Sequence, residues 1–379
     1  MGKEYRASIV EVGNPLGHKH MDSAQPFMYS HAQVLMADSR TRLDSVSDFV
    51  PEEARLAGEK LEVGYFTDWR QMVRERSPEI VSVGGKGEAS YEVLSELLLD
   101  GSGVKGVYVE QPLARRLEDL DRLESLEDSS STKVQVNYLR ANDTSHKAIV
   151  DYIRGGNLGA FQSVHATYNG GVISVLPQLT ALLDQLFDGV SGVSGIYSPI
   201  RNTVSDTDPN VDGTVHYKFS PQSRDVAVQF TATGRGKEFD NNYLWEQTFR
   251  GSKGQIRIRE NGWTIEFSEM RPSGIFPEAG ITHSYSTDQI PAALKADAPR
   301  EMMAGGLSDL IEAIENGGDT RCGVRSAKRA LEISFALKHS AELNGRFVEI
   351  PLENRDSHYV EKAGADSDTL RKETGADKK

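Results

Sequence analysis

The sequence predicts an α/β chain in two parts. The first is a doubly wound parallel sheet with helices on both faces. The second is an α+β domain with a large, mainly antiparallel open sheet. Three observations carry this. Short apolar strands alternate with helical stretches through the first third of the 379 residues. From Ala160 to about Ile281 the pattern turns to period-two strands separated by Gly, Asn, Pro and Asp turns. Two apolar-periodic helices then close the chain, one carrying Leu307, Leu310, Ile311 and Ile314. The domains are placed at 1–128 and 129–355, with a charged tail at 356–379 that is too poor in apolar residues to pack.

The elements follow in order. Ala7–Val12 reads as a buried strand and Gly13–Gly17 as a turn. Pro26 interrupts the next helical stretch, leaving a piece near Phe27–Met36. Arg42–Ser47 is a strand ending at Asp48, and Pro51-Glu52-Glu53 opens a helix with proline first and acids in the first turn. Asp68 caps a helix carrying Trp69, Met72 and Val73. Glu79–Val83 and Val104–Val109 are strands, ending in Gly84-Gly85 and in Glu110-Gln111-Pro112. Helices lie at Ala89–Leu99 and around Leu117, Leu120 and Leu123, and a strand at Lys133–Leu139. In the second part, strands are read at Phe161–Tyr168, Gly213–Phe219, Val226–Thr233, Gln255–Glu260 and Trp263–Phe267, with a helix at Leu176–Phe187. The last helix runs from Ser326 to Leu343 before Gly345, and a final strand carries Val348 and Ile350.

Composition narrows the function classes. The net charge is −13, from 43 Lys and Arg against 56 Asp and Glu. That opposes a nucleic-acid or anionic-membrane partner, each of which requires clustered cations. The single cysteine, Cys322, precludes an internal disulfide and reads as an ordinary packed thiol. No run approaches the roughly 18 apolar residues of a membrane helix, and no leader pattern is seen, so the cytoplasm is the expected location. The histidines are scattered and no metal-ligand spacing is present, so no metal is expected.

The turn after the first strand carries the first functional signal. A dinucleotide fingerprint is G-x-G-x-x-G, whose glycines admit a pyrophosphate to the backbone at a helix N-terminus. Here the stretch is Glu11-Val12-Gly13-Asn14-Pro15-Leu16-Gly17. Gly13 fits the second glycine, Gly17 the third with one extra residue, and Glu11 stands at the first. A carboxylate there repels a pyrophosphate unless it turns away or meets a cation. Two readings stand: a cofactor turn holding NAD at Gly13, Asn14 and Gly17, or a strand-to-helix turn that binds nothing. Asp48 ends the second strand, where an acid bonds the ribose hydroxyls of NAD. The competing role is a helix-start residue before Pro51. Gly84-Gly85-Lys86-Gly87 permits close ligand approach, or is a turn with a solvated lysine.

Several stretches together resemble the glucose-fructose oxidoreductase / inositol dehydrogenase / MocA (Gfo/Idh/MocA) family over about residues 5–352. Glu110-Gln111-Pro112 sits where that family has Glu-Lys-Pro. Tyr138-Leu-Arg140-Ala-Asn142, followed by Gly155-Gly-Asn-Leu-Gly159, is similar to its N-x-R … G-x-I/L-G segment. Gly170-Gly171 matches its glycine pair, and Gly251-Ser-Lys-Gly254-Gln-Ile its G-T-x-G-x-I turn. The stretch Ala341-Glu-Leu-Asn-Gly345 through Val348, Ile350 and Pro351 resembles its close. The resemblance implies a Rossmann-type first domain, NAD as cofactor, a sugar-like small-molecule substrate and a homo-oligomer formed through the second sheet.

It also exposes two departures. The family's lysine is Gln111 here, and glutamine has no titratable proton. An ungapped count from Gly170-Gly171 puts Leu179 at the family's histidine. Gln111 and Tyr168 are therefore the candidate catalytic positions, and Arg140, Asn142, Arg201 and His283 the candidate substrate contacts. Glu110 belongs to the cofactor edge and shapes the turn before Pro112. The leading function is an NAD(H)-linked oxidoreductase, or a redox-assisted enzyme, acting on a sugar, cyclitol or similar hydroxylated metabolite. The alternatives are a non-redox enzyme (lyase, isomerase or cyclase) or a non-catalytic partner subunit on the same fold.

Overall fold

The computed structural model describes residues 3–13, 30–85, 88–99, 102–199, 208–233, 245–259, 264–276, 281–286, 302–355 and 357. The tail, apart from Ser357, lies outside them. Six parallel strands form the first sheet: β1 (Tyr5–Val10), β2 (Thr41–Ser47), β3 (Gly64–Phe66), β4 (Ile80–Val83), β5 (Gly106–Val109) and β6 (Lys133–Val136). Their order is β3-β2-β1-β4-β5-β6, the doubly wound order of dinucleotide-binding domains. The helices between them are α1 (His31–Ala37), α2 (Pro51–Leu61), α3 (Trp69–Arg76), α4 (Glu88–Leu99) and α5 (Leu117–Ser129).

Local chemistry sets several helix starts. Ser30 and Gln33 form a reciprocal capping box on α1. Pro51 opens α2 with Glu52 and Glu53 in its first turn. The Asp68 carboxylate accepts the Arg70 N–H at the start of α3. Strands β1, β4 and β5 are almost wholly buried, as a sheet covered on both faces requires.

Helix α6 (Thr144–Arg154), capped by Asp143, leads into the second sheet. That sheet contains β7 (Phe161–Asn169), β8 (Gly189–Tyr197), β9 (Val211–Phe219), β10 (Arg224–Thr233), β11 (Glu246–Gly251), β12 (Gly254–Arg259), β13 (Thr264–Phe276), β14 (Ile281–Ser286) and β15 (Val348–Glu349). Its order is β14-β13-β12-β11-β7-β10-β9-β8-β15, antiparallel except for the β7–β10 pair. Helices α7 (Leu176–Leu186) and α9 (Val324–Glu342) pack together on one face. Alternate residues Val164, Ala166 and Tyr168 of β7 fall on the buried side, as do Val226, Val228, Phe230 and Ala232 of β10.

Two boundaries differ from the sequence expectation. β6 is the sixth strand of the first sheet, so that domain runs past residue 128. Helix α8 (Met302–Asn316) returns to the first domain and lays Met303, Leu307, Leu310 and Ile311 on Tyr5, Ile80 and Tyr108. Gly305 and Gly306 allow the approach. A Cβ on Gly305 would stand 2.3 Å from the Asn142 carbonyl, and one on Gly306 2.6 Å from the Asn142 amide nitrogen. The chain thus crosses between domains three times, which linear strand and helix patterns do not reveal.

Candidate functional site

The strand order reverses between β1 and β4, so the crevice of the first sheet opens past their carboxyl ends. Glu11 and Gly13 leave β1 there, Asp48 leaves β2, Gly84 and Gly85 leave β4, and Glu110 and Gln111 leave β5. The Asp48 carboxylate accepts the Gly13 N–H (2.9 Å) and the Val50 N–H (2.9 Å). Asp48 therefore ties the glycine turn to the start of α2, and each oxygen keeps acceptor capacity for a ribose hydroxyl. Asn14, Gly17, His20 and Lys86 lie outside the described residues, as does Arg201. His283 falls on β14 opposite Pro272.

Glu11 has φ +56° and turns its side chain across the crevice onto Gly85. A Cβ placed on Gly85 would lie 1.7 Å from Glu11 Oε2, so a glycine is needed beneath this carboxyl. Burial, with Asp48 and Glu92 adding negative charge, pushes Glu11 from its ordinary 4.5 up to about 7.

Beside the crevice lies a buried polar chain. His31 Nε2–H donates to Glu110 Oε1 (3.1 Å), and in the neutral ring Nδ1 then accepts from the Ser82 hydroxyl (2.5 Å). The Asn137 amide donates to the same Glu110 oxygen (2.5 Å) and accepts from the Tyr108 hydroxyl (2.7 Å). Ser82, His31 and Glu110 stand in the sequence of nucleophile, base and acid. Ser82 is fully buried, so no substrate reaches it, and the chain locks α1, β4, β5 and β6 together. Glu110 Oε1 is thus engaged within the protein. Gln111 follows it, also buried, and its Oε1 meets no hydrogen-bond partner among the described residues.

The segment after β6 makes a second cluster. The Arg140 guanidinium lies 4.9 Å from the centre of the Trp245 ring, and the His146 ring packs on the same Trp at 5.6 Å. His146 Nδ1–H donates to the Arg140 carbonyl (2.9 Å), which assigns the other nitrogen, Nε2, as the acceptor of the neutral ring. Sequence reasoning passed over His31, His146 and Trp245. His146 sits on the apolar face of α6 with Ile149, Val150 and Ile153, where a histidine reads as packing.

Two candidates take other roles, and the family's histidine position is closed. Tyr168 does not face the cleft. It is fully buried, and its hydroxyl donates to the Val211 carbonyl (2.6 Å) while accepting the Val211 N–H (3.2 Å). Asn142 is fully buried beneath α8, accepting from Gln135 (2.8 Å). It holds a crossing point between domains and is closed to substrate. Leu179 is buried in α7, so the family's histidine position faces the core. Among the described residues no group of three or more His, Cys, Asp or Glu side chains is placed to hold a metal ion. No helix among them is long and apolar enough to cross a membrane.

The profile of the family described as "Oxidoreductase family, NAD-binding Rossmann fold" matches residues 25–138. No curated protein matches the chain. Among solved structures, an oxidoreductase from Sinorhizobium meliloti superposes with a TM-score of 0.71 at 16% identity, covering 92% of this chain and 100% of its own. An oxidoreductase from Agrobacterium radiobacter, solved with NAD+, L-tartaric acid and magnesium, has a TM-score of 0.68 at 13% identity, covering 92% and 99%. The WlbA dehydrogenase from Bordetella pertussis, solved with NADH and UDP-GlcNAcA, has a TM-score of 0.69 at 15% identity, covering 93% and 100%. At these identities the likeness is one of fold. Residues 25–138 of the first domain are thus similar to the Gfo/Idh/MocA family's NAD-binding Rossmann fold, and the chain as a whole shares the two-domain fold of these solved oxidoreductases.

Proposed function

We propose that the chain is an NAD(H)-linked oxidoreductase, or a redox-assisted enzyme, acting on a sugar, cyclitol or similar hydroxylated small molecule. One observation carries this reading. At the switch point of a doubly wound sheet, Asp48 at the end of β2 holds the Gly13 N–H, the junction where an NAD ribose and pyrophosphate are received. The dinucleotide would lie along Gly13–Gly17 and Asp48, beside Gly84 and Gly85, and supply the hydride chemistry. The substrate would lie toward Gln111 and Arg140, with Arg201 and His283 as further contacts. Levoglucosan dehydrogenase, solved with NADH and L-sorbose, and UDP-N-acetylglucosamine 3-dehydrogenase from Acidithiobacillus ferrooxidans share the fold and support a hydroxylated substrate class.

The test is a titration with NADH and NADPH followed by nicotinamide fluorescence. Binding of NADH over NADPH, lost at least tenfold in Asp48→Ala, is expected. Binding of neither removes the reading, and unchanged affinity in Asp48→Ala removes the ribose role.

A second reading, a non-redox enzyme on this fold, is favoured by Gln111 and by the burial of Leu179, which leave the two usual proton-exchanging positions without a titratable group. Turnover of a substrate with no net change in nicotinamide absorbance, with the nucleotide retained, would favour a redox-assisted or non-redox enzyme over net oxidation. A homo-oligomer through the open face of the nine-stranded sheet is also proposed. Ile196 and Tyr197 are exposed on β8, with Leu343 and Phe347 nearby in the chain's last turns.

A further inference from the structure

Glu11 is the feature the family frame does not account for. Its carboxyl bridges the two turns that flank the β1–β4 crevice, leaving the β1 turn and resting on Gly85 after β4. This is the place where the backbone of the glycine turn meets a pyrophosphate. The charged groups that act on it are acids. Asp48 stands at the end of β2, bonded to Gly13, and Glu53 on α2 touches the Gly13 position. Glu92 on α4 acts on Glu11 from the far side. Arg70, the cation of this region, is engaged by Glu92 and Glu96. Lys86 and the histidines of the 18–20 stretch lie outside the described residues. An ionised Glu11 would set a further negative charge between Asp48 and an incoming pyrophosphate, in a partly buried site. A neutral carboxylic acid in the same place has an O–H to donate, and the pyrophosphate is an acceptor.

We propose that Glu11 receives the dinucleotide as the neutral acid, donating its O–H to a pyrophosphate oxygen, so that NADH binding draws a proton into the cleft wherever free Glu11 is ionised. This rests on the reading that a dinucleotide occupies the crevice. The proton comes from solvent and stays on the carboxyl; no bond other than the O–H forms. With Glu11 titrating at about 7, the apparent Kd for NADH is about tenfold weaker at pH 8 than at pH 6.

The experiment is NADH titration from pH 6 to pH 8 by nicotinamide fluorescence. Calorimetry in buffers of different ionisation enthalpy counts the protons taken up. Glu11→Gln and Glu11→Gly are measured beside the wild-type chain. The expected result is a tenfold pH dependence and net proton uptake in the wild type. Both variants should bind NADH with a flat pH profile and without that uptake. A flat profile in the wild type overturns the inference and leaves NADH binding intact. A slope that persists in Glu11→Gln assigns the proton to another group, such as His18 or His20, and also overturns it. Absence of NADH binding in the wild type and both variants across the range overturns the inference and the dinucleotide reading together.

Discussion

Replacing Glu110 by Leu tests whether the buried polar chain holds the site edge in place. Glu110 is 3% exposed, and one of its oxygens takes both the Asn137 amide and the His31 ring. Leucine fills a similar volume but accepts nothing, so two buried donors lose this partner. Each orphaned donor costs about 1–3 kcal/mol. Removing a buried carboxylate returns part of that, because its own desolvation is relieved. The net loss is therefore about 2–4 kcal/mol. Tyr108 still bonds Asn137 and Ser82 still bonds His31, so the loss should not reach the sum of every bond in the chain. Glu110→Gln keeps one acceptor and should lose about half as much. Urea unfolding followed by circular dichroism reads this directly. With a slope of about 2 kcal/mol per molar, Glu110→Leu lowers the midpoint by about 1–2 M at unchanged slope. A loss under about 1 kcal/mol in Glu110→Leu, or an equal loss in Glu110→Gln, would refute the argument.

Three further outcomes follow from the geometry. Glu11 and Glu127, the latter accepting the Val324 N–H at the start of α9, are both raised by burial from 4.5 to about 7. Their contribution to stability is complete below about pH 4.5 and is lost as pH rises through 7, at most about 3 kcal/mol each. Unfolding free energy measured across pH 5–8 should fall, and the fall should be shallower in Glu127→Gln; an identical slope counts against it. Tyr168→Phe should lose about 1 kcal/mol of stability, since it strips the Val211 backbone of its hydroxyl partner, and leave turnover within about twofold. A large loss of turnover without loss of stability would return Tyr168 to the active site. Cys322 is fully buried and its thiol is pushed up to about 12, so it should resist a thiol reagent in the native state and react within seconds in urea. Rapid native labelling would contradict that burial.

The local code of the chain was largely readable in advance. Pro51 with its acids, Asp68 and the alternation of β7 and β10 each state their element because the signal lies within a few neighbouring residues. β8 escaped notice because its Gly- and Ser-rich sequence is not strand-like; its place comes from β9 and β15 on either side and α9 across its face. β3 and β14 are short or broken in pattern and are likewise held by their neighbours.

The candidate site divides in the same way. Sequence alone determined the family likeness, the turn at Gly13, the acid at Asp48 and the loss of a titratable group at Gln111, since these depend on residue type at a fixed place after a strand. Tertiary structure decided what those groups meet. It set Glu11 on Gly85, spent Glu110 on His31 and Asn137, closed Tyr168 against Val211 and brought His146 to Trp245. Those pairings join residues tens to about a hundred positions apart, and only the folded backbone fixes the distances on which their charge, burial and proton affinity depend.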